Sequence, residues 1–229
     1  MQKNILIIGC NSLIGKEVIK LCNLKGDNVF ATSRSSIDIP VNQFIQLDPN
    51  DDLSSLDALP ESIDALLYCP GSISLKSIQR MDISDIKEDL RINFEGAFHV
   101  IKKVLPNLKK DNGASVVFIS SVAANTGMTF HSSISSSKSA LEGFARSLSA
   151  ELAPRVAVNC VAPSLTDTPM ASHLIDNEKK VKSTQDKHPL NAIGDPARIA
   201  GVIYNLFSAK DNWITGQTIN VDGGLSTLR

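Results

Sequence analysis

Seven short strand-like runs, at residues 4–8, 28–32, 44–47, 65–69, 115–119, 156–161 and 217–221, constrain this chain more than any other feature. Most are continuously apolar rather than alternating, the pattern of a strand covered on both faces. Helix-period segments lie between them. Residues 12–24 carry Leu13, Ile14, Val18, Leu21 and Leu24 on one stripe, and residues 82–109 form a long amphipathic segment with Ser84 as its expected cap. A third helix is expected over 134–153. A fourth opens at Asp195-Pro196 and runs to Phe207, since aspartate before proline is an amino-terminal signal. Strands alternating with helices specify an α/β fold: a Rossmann-like, doubly wound parallel sheet of about seven strands with helices on both faces. The 229 residues hold no repeat, low-complexity tract or linker, so residues 1–229 are expected to form a single domain.

Charge and cysteine usage narrow the function. A formal net charge of −1 gives no electrostatic case for nucleic acid or an acidic membrane surface. Cys10, Cys22, Cys69 and Cys160 are dispersed, without Cys-x-x-Cys spacing or a neighbouring histidine pair. They read as buried thiols in a reducing compartment, with no metal site. No apolar run approaches the length of a membrane span, and the first strand begins almost at once without a leader pattern. A cytoplasmic protein is expected.

Two stretches carry the chemistry. The turn Ile8-Gly9-Cys10-Asn11-Ser12-Leu13-Ile14-Gly15 joins the first strand to the first helix. Glycine there allows a tight turn, and lets backbone N–H groups approach a pyrophosphate at a helix amino terminus. Past the second strand, Thr32-Ser33-Arg34-Ser35 holds no acidic residue for a ribose, and Arg34 is placed to face a 2′-phosphate, which favours NADP over NAD. The second stretch runs from Ser120 to Leu141. A hydroxyl pair leaves a buried strand, a short loop follows, and Lys138 lies on the first turns of a helix.

Together these stretches resemble the short-chain dehydrogenase/reductase family. That family has Thr-Gly-x-x-x-Gly-x-Gly in the first turn; here Gly9 and Gly15 match, Ile8 replaces the threonine and Leu13 the middle glycine. It also has a serine, then thirteen residues later a tyrosine, then four residues later a lysine. Ser121 and Lys138 fall on the serine and lysine, and Ile134 on the tyrosine. The resemblance implies that Ser121 holds a substrate carbonyl, while Lys138 binds the nicotinamide ribose and supports proton transfer. Asn93 in Arg91-Ile92-Asn93-Phe94-Glu95-Gly96 matches an asparagine that interrupts the family's long helix and organises a water chain to the lysine. The cofactor set it implies is Gly9, Asn11, Ser12, Leu13, Ile14, Gly15, Arg34, Asp48 after the third strand, Gly71 after the fourth, Lys138, Pro163 and Thr168. Ser164 stands where the family has glycine. Residues 164–190, polar and charged, are expected to act as a substrate lid. The Thr215-Gly216-Gln217 and Val221-Asp222-Gly223-Gly224 turns also match, so the resemblance covers nearly the whole chain.

The family reaction needs a phenol whose pKa, roughly 10 when unperturbed, is drawn down by a nearby cation. Isoleucine has no proton to exchange. His131 and the hydroxyls of Ser133, Ser135, Ser136 and Ser137 are the proton-bearing groups nearby in sequence. The resemblance thus implies an NAD(P)-dependent oxidoreductase acting on a small carbonyl or alcohol, with weak or rerouted catalysis. Two alternatives stay open: a nucleotide-binding regulator, and a non-catalytic subunit of a hetero-oligomer. In this family the helices corresponding to 82–109 and 134–153 build dimer and tetramer interfaces, so a homodimer or homotetramer is expected.

Overall fold

The computed structural model describes residues 2–108, 110, 113–208 and 213–228. Its strands are β1 (Asn4–Ile8), β2 (Asn28–Ser33), β3 (Gln43–Gln46), β4 (Ala65–Tyr68), β5 (Ala114–Ile119), β6 (Val156–Pro163) and β7 (Thr218–Val221). Among the described residues these seven form one sheet in the order β3-β2-β1-β4-β5-β6-β7, every pair parallel. The helices are α1 (Leu13–Lys25), α2 (Ile83–Leu90), α3 (Gly96–Leu108), α4 (Ser132–Leu152), α5 (Glu178–Gln185) and α6 (Pro196–Leu206).

The apolar runs are buried on both faces because successive side chains in a strand point to opposite sides. Leu6, Ile8, Leu66, Val116, Phe118 and Val158 pack with Val100 and Val104 of α3 and Leu141 and Leu148 of α4. Ile5, Ile7, Leu67, Val117 and Val161 face the other way, onto Val18 and Ile19 of α1 and Ile199 and Ile203 of α6. This two-sided core makes the sheet doubly wound. The chain leaves β1 toward β2 and β3, then returns to place β4 on the other side of β1. That reversal is where open α/β sheets bind ligands, in the crevice beyond the carboxyl ends of the strands.

One detail departs from the sequence expectation. The cap of α2 is Asp82 rather than Ser84, which lies inside the first turn. The Asp85 carboxylate accepts the Asp82 backbone N–H at 3.0 Å, a capping-box contact that a serine at 84 does not provide. The segment 82–109 is interrupted at Asn93, as the asparagine match implies. A π-helical turn, Arg91–Glu95, separates α2 from α3. Asn93, fully buried in that turn, donates from Nδ2 to the Asp89 carbonyl at 2.8 Å, holding a widened turn at the site edge. Gly96 follows because a Cβ there would collide with the Tyr68 hydroxyl. Lys109, the expected end of the segment, lies outside the described residues. Among those described, no helix is long and apolar enough to cross a membrane.

Candidate active site

A groove runs over the carboxyl ends of β2, β1, β4, β5 and β6 as two joined lobes. The smaller, about 290 Å³, is walled by Gly9, Asn11, Ser12, Arg34, Asp48, Asn50, Tyr68, Gly71 and their neighbours. The larger, about 340 Å³, is walled by Leu13, Ile14, Gly71, Ser72, Ser121, Ile134, Lys138, Pro163, Ser164, Thr168 and others. Asn11, Ser12, Cys69, Pro70, Gly71 and Met170 line both and form the neck.

The turn after β1 is shaped for close backbone approach. Gly9 has φ +74°, and a Cβ on it would lie 2.9 Å from Pro70 atoms, so any other residue strains the turn. The Gly9 and Cys10 N–H groups both donate to the Thr32 carbonyl, at 2.9 and 3.0 Å, fixing the turn against β2. Ser12 caps α1, its Oγ accepting the Gly15 N–H at 3.0 Å. That contact requires Gly15, since a Cβ there would sit 2.9 Å from the same Oγ. The amino terminus of α1, with its positive dipole end, therefore opens at the neck of the groove.

At the reaction end, Ser121 leaves β5 and its Oγ accepts the Ala123 N–H at 3.2 Å. Lys138 is 5% exposed, and its Nζ donates to the Ile119 carbonyl at 2.7 Å. Burial pushes its pKa down to about 8, against the opposing pull of nearby anionic groups including Asp89 and Glu142. Ile134 lies one turn earlier on the same helix face, 4% exposed, with its side chain in the wall. Neither of the two tyrosines supplies a phenol beside Lys138. Tyr68 lines the smaller lobe, donates to the Ile92 carbonyl at 3.0 Å and has its pKa raised by burial. Tyr204 is bonded to Asp27, away from the groove.

The structure brings together most residues singled out from the sequence. Gly9, Asn11, Ser12, Leu13, Ile14, Arg34, Asp48, Gly71, Ser121, Lys138, Pro163 and Thr168 all line one lobe or both. Gly15 stays in the first turn of α1 beneath the cap. Asn93 lies behind Gly71: a methyl group on Gly71 would be 3.3 Å from Asn93 Oδ1 and 3.5 Å from Lys138 Nζ. His131 is outside both walls, held through Nδ1 to the Thr129 carbonyl at 2.7 Å.

Sequence reasoning missed three polar partners. Asp89, 2% exposed, accepts from Ser72 Oγ, which in turn accepts from Asn93 Nδ2 at 3.1 Å. Glu142 accepts from Ser120 Oγ at 2.6 Å and Asn125 Nδ2 at 2.7 Å. Ser164 Oγ and His188 Nε2 are 2.8 Å apart. Asp89, four residues before Asn93, and Glu142, four residues after Lys138, each had one-turn spacing as a sequence signal, whereas His188 had none.

The parallel sheet, its switch-point groove and the glycine turn at a helix amino terminus define a dinucleotide-binding α/β protein. A family pattern described as Enoyl-(Acyl carrier protein) reductase matches residues 54–226. A 3-oxoacyl-(acyl-carrier-protein) reductase FabG of Buchnera aphidicola is 30% identical over 240 residues, covering 98% of this chain and 97% of its own length. The corresponding FabG of Thermotoga maritima is 30% identical over 238 residues, 96% of each chain. Among solved structures, the ligand-free aldohexose dehydrogenase of Thermoplasma acidophilum superposes with a TM-score of 0.91 at 26% identity, covering 100% of this chain and 95% of that one. ElxO with NADP bound gives a TM-score of 0.88 at 26% identity, over 98% and 99%. The chain belongs to the short-chain dehydrogenase/reductase family, whose members are NAD(P)-dependent oxidoreductases.

Proposed function

We propose that this single-domain chain is an NADP-preferring oxidoreductase that acts on a small carbonyl or alcohol, and that it turns over ordinary ketones weakly. The observation that carries this reading is the continuous groove, with Arg34 on one lobe and Ser121 and Lys138 on the other.

The residues present fit a dinucleotide. Gly9, Asn11, Ser12 and Gly71 wall the groove where the turn after β1 opens, and the α1 amino terminus supplies backbone N–H groups to a pyrophosphate. Arg34 would pair with a 2′-phosphate, Asp48 with the adenine end, and Lys138 with the nicotinamide ribose. Pro163 and Thr168 would hold the carboxamide. The bound nicotinamide supplies or accepts the hydride. Ser121 would orient the substrate oxygen, and Asn93 would order water behind Gly71 toward Lys138. Ile134 occupies the position of the family's tyrosine and brings no proton. General acid catalysis typically contributes roughly 10²–10⁴-fold, which sets the scale of the loss. Residues 164–190 would close over the larger lobe, and the helical faces of α3 and α4 would join subunits.

The apolar Ile134 favours one second reading, a nucleotide-binding regulator that keeps the pocket without turnover. Calorimetric titration with NADPH and NADH, followed by a carbonyl screen, separates the two. Micromolar NADPH binding with turnover supports the enzyme, and binding without turnover supports the regulator. No binding of either nucleotide removes both.

A further inference from the structure

The larger lobe contains a second polar constellation that the scheme above does not use. Ser164, after β6, lines the lobe, and its Oγ lies 2.8 Å from Nε2 of His188. His188 is 4% exposed, in the segment after α5. Its Nδ1 lies 2.7 Å from the Thr184 carbonyl. A carbonyl oxygen only accepts, so Nδ1 carries a proton, and in the neutral ring Nε2 holds the lone pair. The Ser164 hydroxyl then donates to Nε2. On the far side the ring packs against the chain at Gly223, where a Cβ would lie 3.5 Å from His188 Cβ and Cδ2. Asp222, next to Gly223 in the chain, holds the turn there by accepting the Gly224 and Ser226 N–H groups, each at 2.9 Å. A buried imidazole thus sits behind a serine that lines the cavity, its tautomer set by a backbone carbonyl.

We propose that Ser164 and His188 form the proton relay of this site, taking the role left open by Ile134. The proposal rests on the oxidoreductase reading. In the reducing direction the reduced nicotinamide nucleotide gives its hydride to the carbonyl carbon, and the π electrons move to oxygen. That oxygen takes the Ser164 hydroxyl proton. Ser164 recovers a proton from Nε2–H of the imidazolium, which becomes neutral His188 with Nδ1–H retained. Solvent then reprotonates His188. The oxidising direction runs the same transfers backward. Ser164 touches the reacting oxygen, and His188 acts through it. The Thr184 carbonyl keeps the ring oriented in both protonation states.

The test joins a spectroscopic readout without cofactor to kinetics. In the unliganded protein labelled with ¹⁵N-histidine, His188 should appear as the Nδ1–H tautomer at high pH and protonate reversibly on acidification. Ser164→Ala should shift its Nε2 resonance. A ring that stays neutral to the acid limit of folding, or has Nε2–H as its neutral tautomer, overturns the relay. In steady state, His188→Gln should lower kcat for carbonyl reduction roughly 10²–10⁴-fold. NADPH affinity should hold within about twofold, because the introduced side-chain amide still bonds Ser164. The decline of kcat with rising pH, and the solvent deuterium isotope effect, should both disappear. Ser164→Ala should match it, and Ser164→Thr should restore part of the rate. Turnover in the parent chain that survives His188→Gln overturns the relay alone. Nucleotide binding without turnover by the parent overturns the oxidoreductase reading and the relay with it.

Discussion

The two lobes of the groove are built by different means. The smaller lobe uses backbone and charge: the Gly9 turn held to Thr32, Ser12 on the α1 amino terminus, and Arg34 and Asp48 on the rim. The larger lobe uses side chains of specific chemistry, and its wall mixes Leu13, Ile134 and Met170 with Ser121, Lys138 and Ser164. Binding a dinucleotide asks for cradles and partial charges, which many sequences supply once the turn is correct. Proton transfer asks for one titratable group at one place. A lobe built for binding therefore tolerates more sequence change than a lobe built for proton transfer.

The sharpest way to break this contrast is to place a phenol at position 134. Ile134→Tyr places a phenol one turn from buried Lys138 and should raise ketone reduction in a steady-state NADPH-oxidation assay by roughly 10²–10⁴-fold when set in the His188→Gln background, where the relay is gone. No gain would mean that the larger lobe differs from its relatives by more than one acid. On the binding side, Arg34→Ala should weaken NADPH by roughly 10- to 100-fold, the scale of a charge-assisted contact of about 1.5–3 kcal/mol, and leave NADH unchanged by calorimetry. Equal loss for both nucleotides would place Arg34 away from any 2′-phosphate. Gly9→Val, at φ +74° and against Pro70, should cost about 1–3 kcal/mol of stability in urea unfolding and reduce affinity for both nucleotides.

The smallest effect sharpens the electrostatics of the reaction lobe. Burial lowers the Lys138 pKa to about 8, whereas an unfolded lysine titrates near 10.4. Between these values the unfolded chain binds more protons than the folded one, so the lysine's contribution to stability rises with pH across that window and is flat below it. Lys138→Met should remove a slope worth at most about 3 kcal/mol, seen as the difference in unfolding free energy between pH 7.5 and pH 10. The same variant should also lose carbonyl reduction.

Much of this protein was legible from its sequence because the signals are local. Continuous apolar runs such as those at β1 and β5 specify strands covered on both faces, and Gly9 before a helical stripe specifies a nucleotide turn, each within ten or so residues. Ser121, Ile134 and Lys138 could be placed relative to each other because a strand, a loop and a helix join them. Even the position of Asn93 near the lysine, at a break in its helix, was legible through resemblance, although the π-helical form of that break was not. Only the tertiary structure decided what meets across long separations. Ser164 and His188 are 24 residues apart, and neither has a spacing pattern that announces the other. Their contact follows from the path of the chain after β6, through α5 and back to the groove. His131 shows the converse. It is three residues from Ile134, yet its ring turns to the Thr129 carbonyl, and nearness in sequence gives it no place in the wall. Local periodicity fixes which elements form, because it is set by backbone geometry; which side chains share a cavity is set by how those elements pack, and that is a property of the whole chain.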